Sequence, residues 1–287
     1  MDNIKIGIIG GSGIYDIEGV ENVETVEVET PFGLPSDKII VGTLEGVNFA
    51  FLPRHGRGHK ISPTELNFRA NIYAFKKLGV EKVLSISAVG SLKEELRPRD
   101  FVIPDQLFDR TKNRPSTFFG DGIVAHVGFA EPFCPEFSKI AYETAEKIGI
   151  TVHKGGTYIC MEGPQFSTKA ESNVYRQLGF SIIGMTALPE AKLAREAEMC
   201  YVTIALVTDY DCWKDDEEVS VEKILANLSA NSENAKKFIK TILPKLSGSS
   251  GCACSSALAM SIVTPVDVVP KETLKKVELL VKKYINI

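Results

Sequence analysis

The sequence predicts an α/β protein in which a mixed, twisted β-sheet is flanked by α-helices. Short apolar runs alternate with segments of helical periodicity along the chain, as in a sheet covered by helices. The clearest run, residues 201–208, is apolar or β-branched at nearly every position and predicts a strand buried on both faces. Glu45-Gly46 separates two strand-like runs and predicts a hairpin, so we expect a mixed sheet.

The elements are expected in the following order. Predicted strands cover residues 5–9, 23–28, 39–44, 47–52, 80–87, 101–103, 180–184 and 201–208, with another hairpin across 151–160. Predicted helices cover residues 62–78, 135–149, a segment capped by Thr168 and Glu171, 188–199, Val221–Leu246 and 271–284. Ser62 and Glu65 have capping-box spacing, so the first helix is expected to begin at residue 62. We find no repeat or clear boundary, so we expect one domain over residues 1–287 with a C-terminal helical tail from about 252.

Composition excludes several classes of protein. The chain has 287 residues, of which 44% are hydrophobic and 24% charged, as in an ordinary globular enzyme. A net charge of -4 gives no electrostatic reason to expect nucleic acid or an anionic membrane as a partner. No apolar run reaches the length of a membrane span, and the first residues lack the features of a signal peptide. We therefore expect a cytoplasmic protein.

Six cysteines occur, and two of them form the motif Cys252-Ala253-Cys254. We do not expect a metal site there, because no second pair of ligands is obvious and the four histidines are distant in sequence. The sequence leaves open whether the two thiols are unpaired or form a local disulfide or redox-sensitive pair.

Two loops that follow predicted strands carry groups suited to an oxyanion. Gly10-Gly11-Ser12-Gly13 offers backbone amides and a hydroxyl, but it lacks the third glycine and the helix of a dinucleotide-binding loop. A phosphate loop of another kind and a plain tight turn both remain open. Arg54 and His55 lie in a glycine-containing loop, where arginine supplies a bidentate fork for phosphate and a solvated basic loop is the alternative.

Two carboxylates, Asp209 and Asp211, directly follow the buried strand 201–208. Ligands of open α/β sheets bind beyond the carboxyl ends of the strands. An acid pair at this position is suited to adenine, which offers N7 as a proton acceptor and N6 as a donor. The alternative is that both acids are solvated or cap a helix.

Seven stretches in the same order resemble the purine nucleoside phosphorylase superfamily, in its 5'-methylthioadenosine phosphorylase branch. They are Gly-Ile-Ile-Gly-Gly-Ser-Gly, Thr-Pro-Phe-Gly with Pro-Ser-Asp, Arg-His-Gly-Arg, Ala-Glu-Pro-Phe-Cys, Glu-Gly-Pro-Gln-Phe-Ser, Met-Thr-Ala-Leu-Pro-Glu and Thr-Asp-Tyr-Asp-Cys-Trp-Lys. The resemblance covers about residues 5–246. It implies a single-domain nucleoside phosphorylase fold and a pentosyltransferase that cleaves 5'-methylthioadenosine with phosphate to adenine and 5-methylthioribose 1-phosphate, in purine and methionine salvage.

The resemblance also implies residue roles. Phosphate, the co-substrate, would be held by Ser12, Arg54, His55, Ser87, the Ala88 amide and Thr186. The nucleoside would meet Met185 at the ribose, Phe166 at the base, Asp209 and Asp211 at N7 and N6, and His126, Val221 and Leu225 around the 5'-methylthio group. Ser87 stands where many relatives have threonine, and it keeps the hydroxyl. The family implies no cofactor and no metal, and trimers or hexamers built from trimers, with His126 supplied by a neighbouring subunit.

The expected chemistry agrees with these roles. Glycosidic cleavage gives the ribose oxocarbenium character, and phosphate attacks from the opposite face. Adenine leaves if Asp209 donates a proton to N7, which needs a carboxyl with a raised pKa, as burial beside Asp211 favours. An ionised Asp211 would accept from the N6 amino group and reject 6-oxopurines.

Three alternatives make different predictions. A broader phosphorylase would also accept adenosine, methylthioinosine or inosine. A nicotinamide-dependent oxidoreductase would need a helix directly after Gly13. A purine-binding regulator without catalysis would have lost its phosphate site, and the presence of Arg54 and His55 counts against it.

Overall fold

The computed structural model describes residues 4–11, 17–214, 221–248 and 251–286. Over these residues it has one 11-stranded mixed sheet. The strands are β1 (Ile6–Gly10), β2 (Glu21–Val26), β3 (Ile39–Leu44), β4 (Val47–Pro53), β5 (Lys82–Ser91), β6 (Phe101–Ile103), β7 (Gln106–Arg110), β8 (Val152–Lys154), β9 (Thr157–Met161), β10 (Ile182–Gly184) and β11 (Cys200–Asp209). The helices are α1 (Phe68–Lys77), α2 (Pro135–Lys147), α3 (Lys169–Gln177), α4 (Ala187–Glu196), α5 (Val221–Leu246) and α6 (Lys271–Val281).

Strand β5 lies in the middle of the sheet. Its pairing leaves a gap along one edge, and the site forms at this gap. Strand β11 runs parallel to β5 along its length, from Cys200 opposite Lys82 to Asp209 opposite Gly90. On the other edge, β1 pairs only with residues 82–85 and β10 only with residues 90–91. Residues 86–89 therefore have one edge without a strand partner.

Helices cover both faces of β11, as the apolar run predicted. Nine of its residues are buried and the last, Asp209, is partly exposed. One face packs with α5 and α2, through residues such as Phe238 and Phe137. The opposite face packs with α4, through residues such as Leu193, and α4 in turn packs with α1. The mixed sheet flanked by helices is confirmed.

Two predicted elements are wrong in detail. Helix α1 begins at Phe68 rather than at residue 62, because the Asn67 side chain caps it by accepting from the Ala70 amide at 3.2 Å. Ser62 and Glu65 do bond at 2.6 Å, but they close an isolated turn. Residues 151–160 are not a hairpin, because β8 pairs with β6 whereas β9 pairs with β7 and β10.

Of the two alternatives left open for Cys252 and Cys254, the structure has the unpaired thiols. The local Cys252–Cys254 disulfide is not formed, and both thiols are free. The premise that this motif lacks a second pair is wrong, because the fold brings Cys134 and Cys200 beside it. Among the described helices, none combines the length and apolarity that a membrane span needs.

Candidate functional site

A cavity of about 500 Å³ opens where β5 has no strand partner. This volume lies within the range of small-molecule sites. All of residues 86–90 line it, together with the loops that follow β1, β4, β10 and β11. Strand β10 runs antiparallel to β5, so the residues after it return along the open edge. The lining includes Gly11, Arg54, His55, His59, Pro63, Met161, Pro164, Phe166, Met185, Thr186, Thr208, Asp209, Asp211, Ile224, Leu225 and Leu228.

Arg54 is held in one orientation at the floor of this cavity. Its side chain is 2% exposed and forms an ion pair with the fully buried Glu190, whose Oε1 accepts from Nε at 2.6 Å. Nη2 donates to Ser85 Oγ at 2.7 Å, and Nη1 donates to the Ile86 carbonyl at 2.9 Å. Burial opposes the charge, but the Glu190 carboxylate more than offsets it and holds the pKa of Arg54 above its usual value.

The bidentate fork that we expected to meet phosphate is instead directed at Glu190. Nη2 also lies 3.3 Å from Glu190 Oε2, so both nitrogens on that edge are engaged. Counting the five guanidinium hydrogens against these partners leaves one Nη1 hydrogen uncommitted among the described residues. Arg54 therefore offers an anion in the cavity one direct donor and a fixed positive charge.

His55 is a neutral imidazole at neutral pH. Burial, followed by the charge of Arg54, lowers its pKa to about 4. Its Nδ1 lies 2.8 Å from the Ile61 carbonyl, which only accepts, so Nδ1 carries the hydrogen. Nε2 is then an acceptor. The ring stacks on His59, with the two centroids 4.3 Å apart.

Ser87 and Thr186 bring two hydroxyls together on the open edge of β5. Their oxygens are 2.9 Å apart, and both residues are buried. One hydroxyl donates to the other in this contact, and Ser87 Oγ also lies 3.4 Å from the Ala88 carbonyl. Ala88, next along the same edge, is exposed to the cavity. The structure thus brings five of the six predicted phosphate residues together, and Ser12 lies outside the described residues.

The two carboxylates line the cavity at the end of β11, where Asp209 lies opposite Gly90 of β5. Asp209 Oδ2 accepts from the Thr208 hydroxyl at 2.7 Å, and Oδ1 accepts from the Asp211 amide at 2.8 Å. Asp211 has φ of 51°, and this left-handed turn aims its amide back at Asp209. Gly90 makes room for the pair, since a β-carbon there would lie 3.0 Å from Asp209 Oδ1.

Burial raises the pKa of both Asp209 and Asp211. For Asp211, the Asp209 charge raises the pKa further. For Asp209, the Thr208 hydroxyl and the Asp211 amide work against burial because they stabilise its charged form. The expectation of a raised Asp209 pKa agrees with its surroundings, but the cause is burial, and the contact from Asp211 acts in the other direction.

The remaining predicted residues divide into two groups. Phe166, Met185 and Leu225 line the cavity, although the Phe166 and Leu225 side chains are 55% and 58% exposed. Within the described ranges, the cavity lining contains neither Val221, which is 64% exposed, nor His126, which is exposed and donates its backbone amide to the Ser261 carbonyl.

Sequence reasoning missed the residues that support the site. Glu190 fixes Arg54, Thr208 fixes Asp209, and Gly90 admits the carboxylates. Two of them were visible in the quoted motifs, as the last residue of Met-Thr-Ala-Leu-Pro-Glu and the first of Thr-Asp-Tyr-Asp. Ile224 and Leu228 add apolar surface from α5, and because they are four positions apart they lie on the same face of that helix.

Known proteins resemble this chain over nearly its whole length. The S-methyl-5'-thioadenosine phosphorylase of Koribacter versatilis (strain Ellin345) is 59% identical over 281 residues, which cover 98% of this chain and 96% of that relative. The protein of the same name from Geobacter sulfurreducens (strain ATCC 51573 / DSM 12127 / PCA) is 54% identical, with coverage of 98% and 99%.

Solved structures also resemble this chain over most of its length. A methylthioadenosine phosphorylase sourced from an antarctic soil metagenomic library has a TM-score of 0.94 at 49% identity, covering 98% of this chain and 99% of that one. A methylthioadenosine phosphorylase from Schistosoma mansoni, in complex with adenine, has a TM-score of 0.82 at 37% identity, with coverage of 86% and 93%. These matches confirm the nucleoside phosphorylase fold that the sequence motifs implied. A family model described as the phosphorylase superfamily matches residues 5–244, and the chain belongs to that superfamily.

Proposed function

We propose that this protein is a pentosyltransferase that cleaves 5'-methylthioadenosine with phosphate, giving adenine and 5-methylthioribose 1-phosphate. One observation carries the proposal: a single cavity is lined by a fixed cation, by two hydroxyls and by two carboxyl groups whose pKa values are raised. The cation and the hydroxyls are suited to an anionic nucleophile, and the carboxyl groups to a purine leaving group.

At the phosphate end, Arg54 supplies a charge that its ion pair with Glu190 keeps in place. The Ala88 amide, Ser12 and the hydroxyl pair of Ser87 and Thr186 supply hydrogen bonds. Neutral His55 accepts, through Nε2, from the hydroxyl that monohydrogen phosphate retains. This assigns His55 a different task from a cationic histidine, because its pKa of about 4 leaves it uncharged in the free enzyme. A preorganised site of this kind holds the nucleophile against the ribose without a covalent enzyme intermediate.

At the base end, Asp209 and Asp211 hold one proton between them. The Asp211 amide donates to Asp209 Oδ1 at 2.8 Å, and two acids this close repel each other when both are ionised. The protonated Asp209 therefore donates to N7, and the ionised Asp211 accepts from N6. The Thr208 hydroxyl lies 2.7 Å from Asp209 Oδ2 and 3.2 Å from the Val89 carbonyl. Its hydrogen is able to turn from one to the other as the Asp209 charge changes, so Thr208 supports both protonation states.

The other assignments belong to the same proposal. Met185 packs on the ribose, Phe166 stacks on the base, and Leu225 and Val221 surround the methylthio group with His126 from a neighbouring subunit of a trimer or hexamer. The backbone of Met185 is held in place because its carbonyl accepts a hydrogen bond from Arg114 Nη1 at 2.7 Å. Phosphate is a co-substrate, and no cofactor or metal takes part in the reaction. We further propose a cytoplasmic enzyme with one domain over residues 1–287 and a C-terminal tail from about 252.

The test is a panel of four nucleosides with saturating phosphate: 5'-methylthioadenosine, adenosine, methylthioinosine and inosine. We expect kcat/KM to fall in the order methylthioadenosine, adenosine, 6-oxopurine nucleosides. An apolar 5' pocket separates the first two by about 10- to 200-fold. Equal rates with methylthioinosine and methylthioadenosine would remove the proposed roles of Asp209 and Asp211 while leaving phosphorolysis in place.

A further inference from the structure

Four cysteines far apart in sequence meet at one point on the side of the sheet. The sulfurs of Cys134, Cys200, Cys252 and Cys254 all lie within 4.8 Å of one another, and three of the residues are buried. The Sγ atoms of Cys200 and Cys252 are 2.9 Å apart, longer than a covalent sulfur–sulfur bond of about 2.05 Å. We propose that this cluster is a structural zinc site with four thiolate ligands.

The arrangement has the ligand number and spacing that zinc requires. Structural zinc is bound tetrahedrally by four Cys or His ligands, with sulfurs at about 2.3 Å from the metal. That bond length sets the sulfur–sulfur edges of the tetrahedron at about 3.8 Å. The observed separations, 2.9 Å for one pair and at most 4.8 Å for all, bracket this value. Four thiolates without nitrogen or oxygen ligands favour zinc over calcium, magnesium or manganese.

Two ligands are held by the body of the fold. Cys200 opens β11, and its amide donates to the Glu81 carbonyl at 2.9 Å. Cys134 is the N-cap of α2, and its amide donates to the Tyr201 carbonyl at 2.9 Å. The positive end of the α2 dipole at Cys134 favours a thiolate there. A cavity of about 140 Å³, lined by Cys134, Cys200 and Cys252, gives the ion a path to the cluster.

The other two ligands belong to the C-terminal tail, so the metal joins two parts of the chain. Cys252 and Cys254 flank the start of a short 3-10 helix, Ala253–Ser256. The same tail continues to the segment around His126, where the Val263 amide donates to the Val124 carbonyl at 3.0 Å. Binding converts four thiols and one zinc ion into a tetrathiolate complex and four released protons. It thereby fixes the tail against β11 and α2.

The experiment uses the full-length protein, reduced with a phosphine under anaerobic conditions and titrated with zinc chloride against a chromophoric chelator. We expect one zinc per chain, and none in the double variant Cys252→Ser/Cys254→Ser. Cys160→Ser is the matched control, because Cys160 is a buried thiol outside the cluster and its loss should leave one zinc bound. Zinc removal should also lower the Tm of the wild type but not that of the double variant.

A second measurement does not depend on the variants folding. Cobalt(II) added to the reduced wild type should give the thiolate charge-transfer and tetrahedral ligand-field bands of a four-sulfur site. Failure of the reduced wild type to bind zinc or cobalt would overturn the proposal, as would full zinc binding by the double variant. Isolation of the protein with these four cysteines as two disulfides that do not yield a zinc site on reduction would also overturn it.

Discussion

Replacing Glu190 with glutamine removes the countercharge of Arg54 while keeping the size of the side chain. Glu190 is fully buried, and its Oε1 accepts from Arg54 Nε at 2.6 Å. Its Oε2 also accepts from the hydroxyls of Tyr201 and Ser85, at 3.0 Å and 3.1 Å. The amide of glutamine supplies one acceptor for these donors and removes the negative charge that the buried guanidinium is paired with.

The expected loss of stability follows from that unpaired charge. Removing one member of a buried ion pair costs about 3–5 kcal/mol, since the remaining charge keeps its desolvation penalty. For a chain of this length, a change of 1 kcal/mol shifts Tm by about 2 °C. We therefore expect Glu190→Gln to lower Tm by roughly 6–10 °C. The KM for phosphate should rise, because Arg54 is no longer held in one orientation.

The assays are thermal unfolding and initial rates of adenine release at varied phosphate concentrations. Glu233→Gln is a matched control, because its carboxylate is 77% exposed and forms a surface ion pair with Lys236 at 3.0 Å. Surface pairs of this kind contribute little, so its Tm and phosphate KM should equal those of the wild type. If Glu190→Gln unfolds at the same temperature as Glu233→Gln, the ion pair does not support Arg54 as argued.

Three further predictions concern the base end and a buried acid. Asp209→Asn should lower methylthioadenosine turnover by about 10²- to 10⁴-fold and raise the relative rate with 6-oxopurines; unchanged adenine release would remove the acid role. Gly90→Ala should lower kcat/KM, because the new β-carbon lies 3.0 Å from Asp209 Oδ1, whereas Gly128→Ala, with open space around it, should not. Burial raises the pKa of Glu196 to about 7, so the folded state binds more protons than the unfolded chain between about pH 4.5 and 7. Stability should fall as pH rises through this window, and Glu196→Gln should flatten the fall by on the order of 3 kcal/mol; an unchanged pH slope would contradict this.

Local sequence patterns predicted the elements that have a strong periodicity, a long apolar run or a capping motif. Helix α5 spans Val221–Leu246 as the periodicity indicated, and β11 is buried on both faces as its apolar run indicated. The capping box of Thr168 and Glu171 forms at the start of α3 as predicted. In each case the determining contacts lie within a few residues of one another or depend only on the apolar character of the strand.

Other features depend on contacts between distant residues, which periodicity and spacing do not reveal. The turn at residues 155–156 suggested a hairpin, but β9 is paired by β7 and β10 instead. Glu190 and Arg54 are separated by 136 positions, and nothing local to either residue indicates that they bond. The convergence of Cys134 and Cys200 on the tail motif is of the same kind. The motifs indicated which residues surround the site. The residues that hold them in position could be identified only from the folded structure.

The most direct test of the proposed activity is adenine release from 5'-methylthioadenosine by the purified protein, with and without phosphate. The proposal predicts release only when phosphate is present, with one 5-methylthioribose 1-phosphate formed for each adenine. Release at the same rate without phosphate, with free 5-methylthioribose as the product, would identify a hydrolase. That result would contradict the roles proposed for Arg54, His55, Ser87 and Thr186.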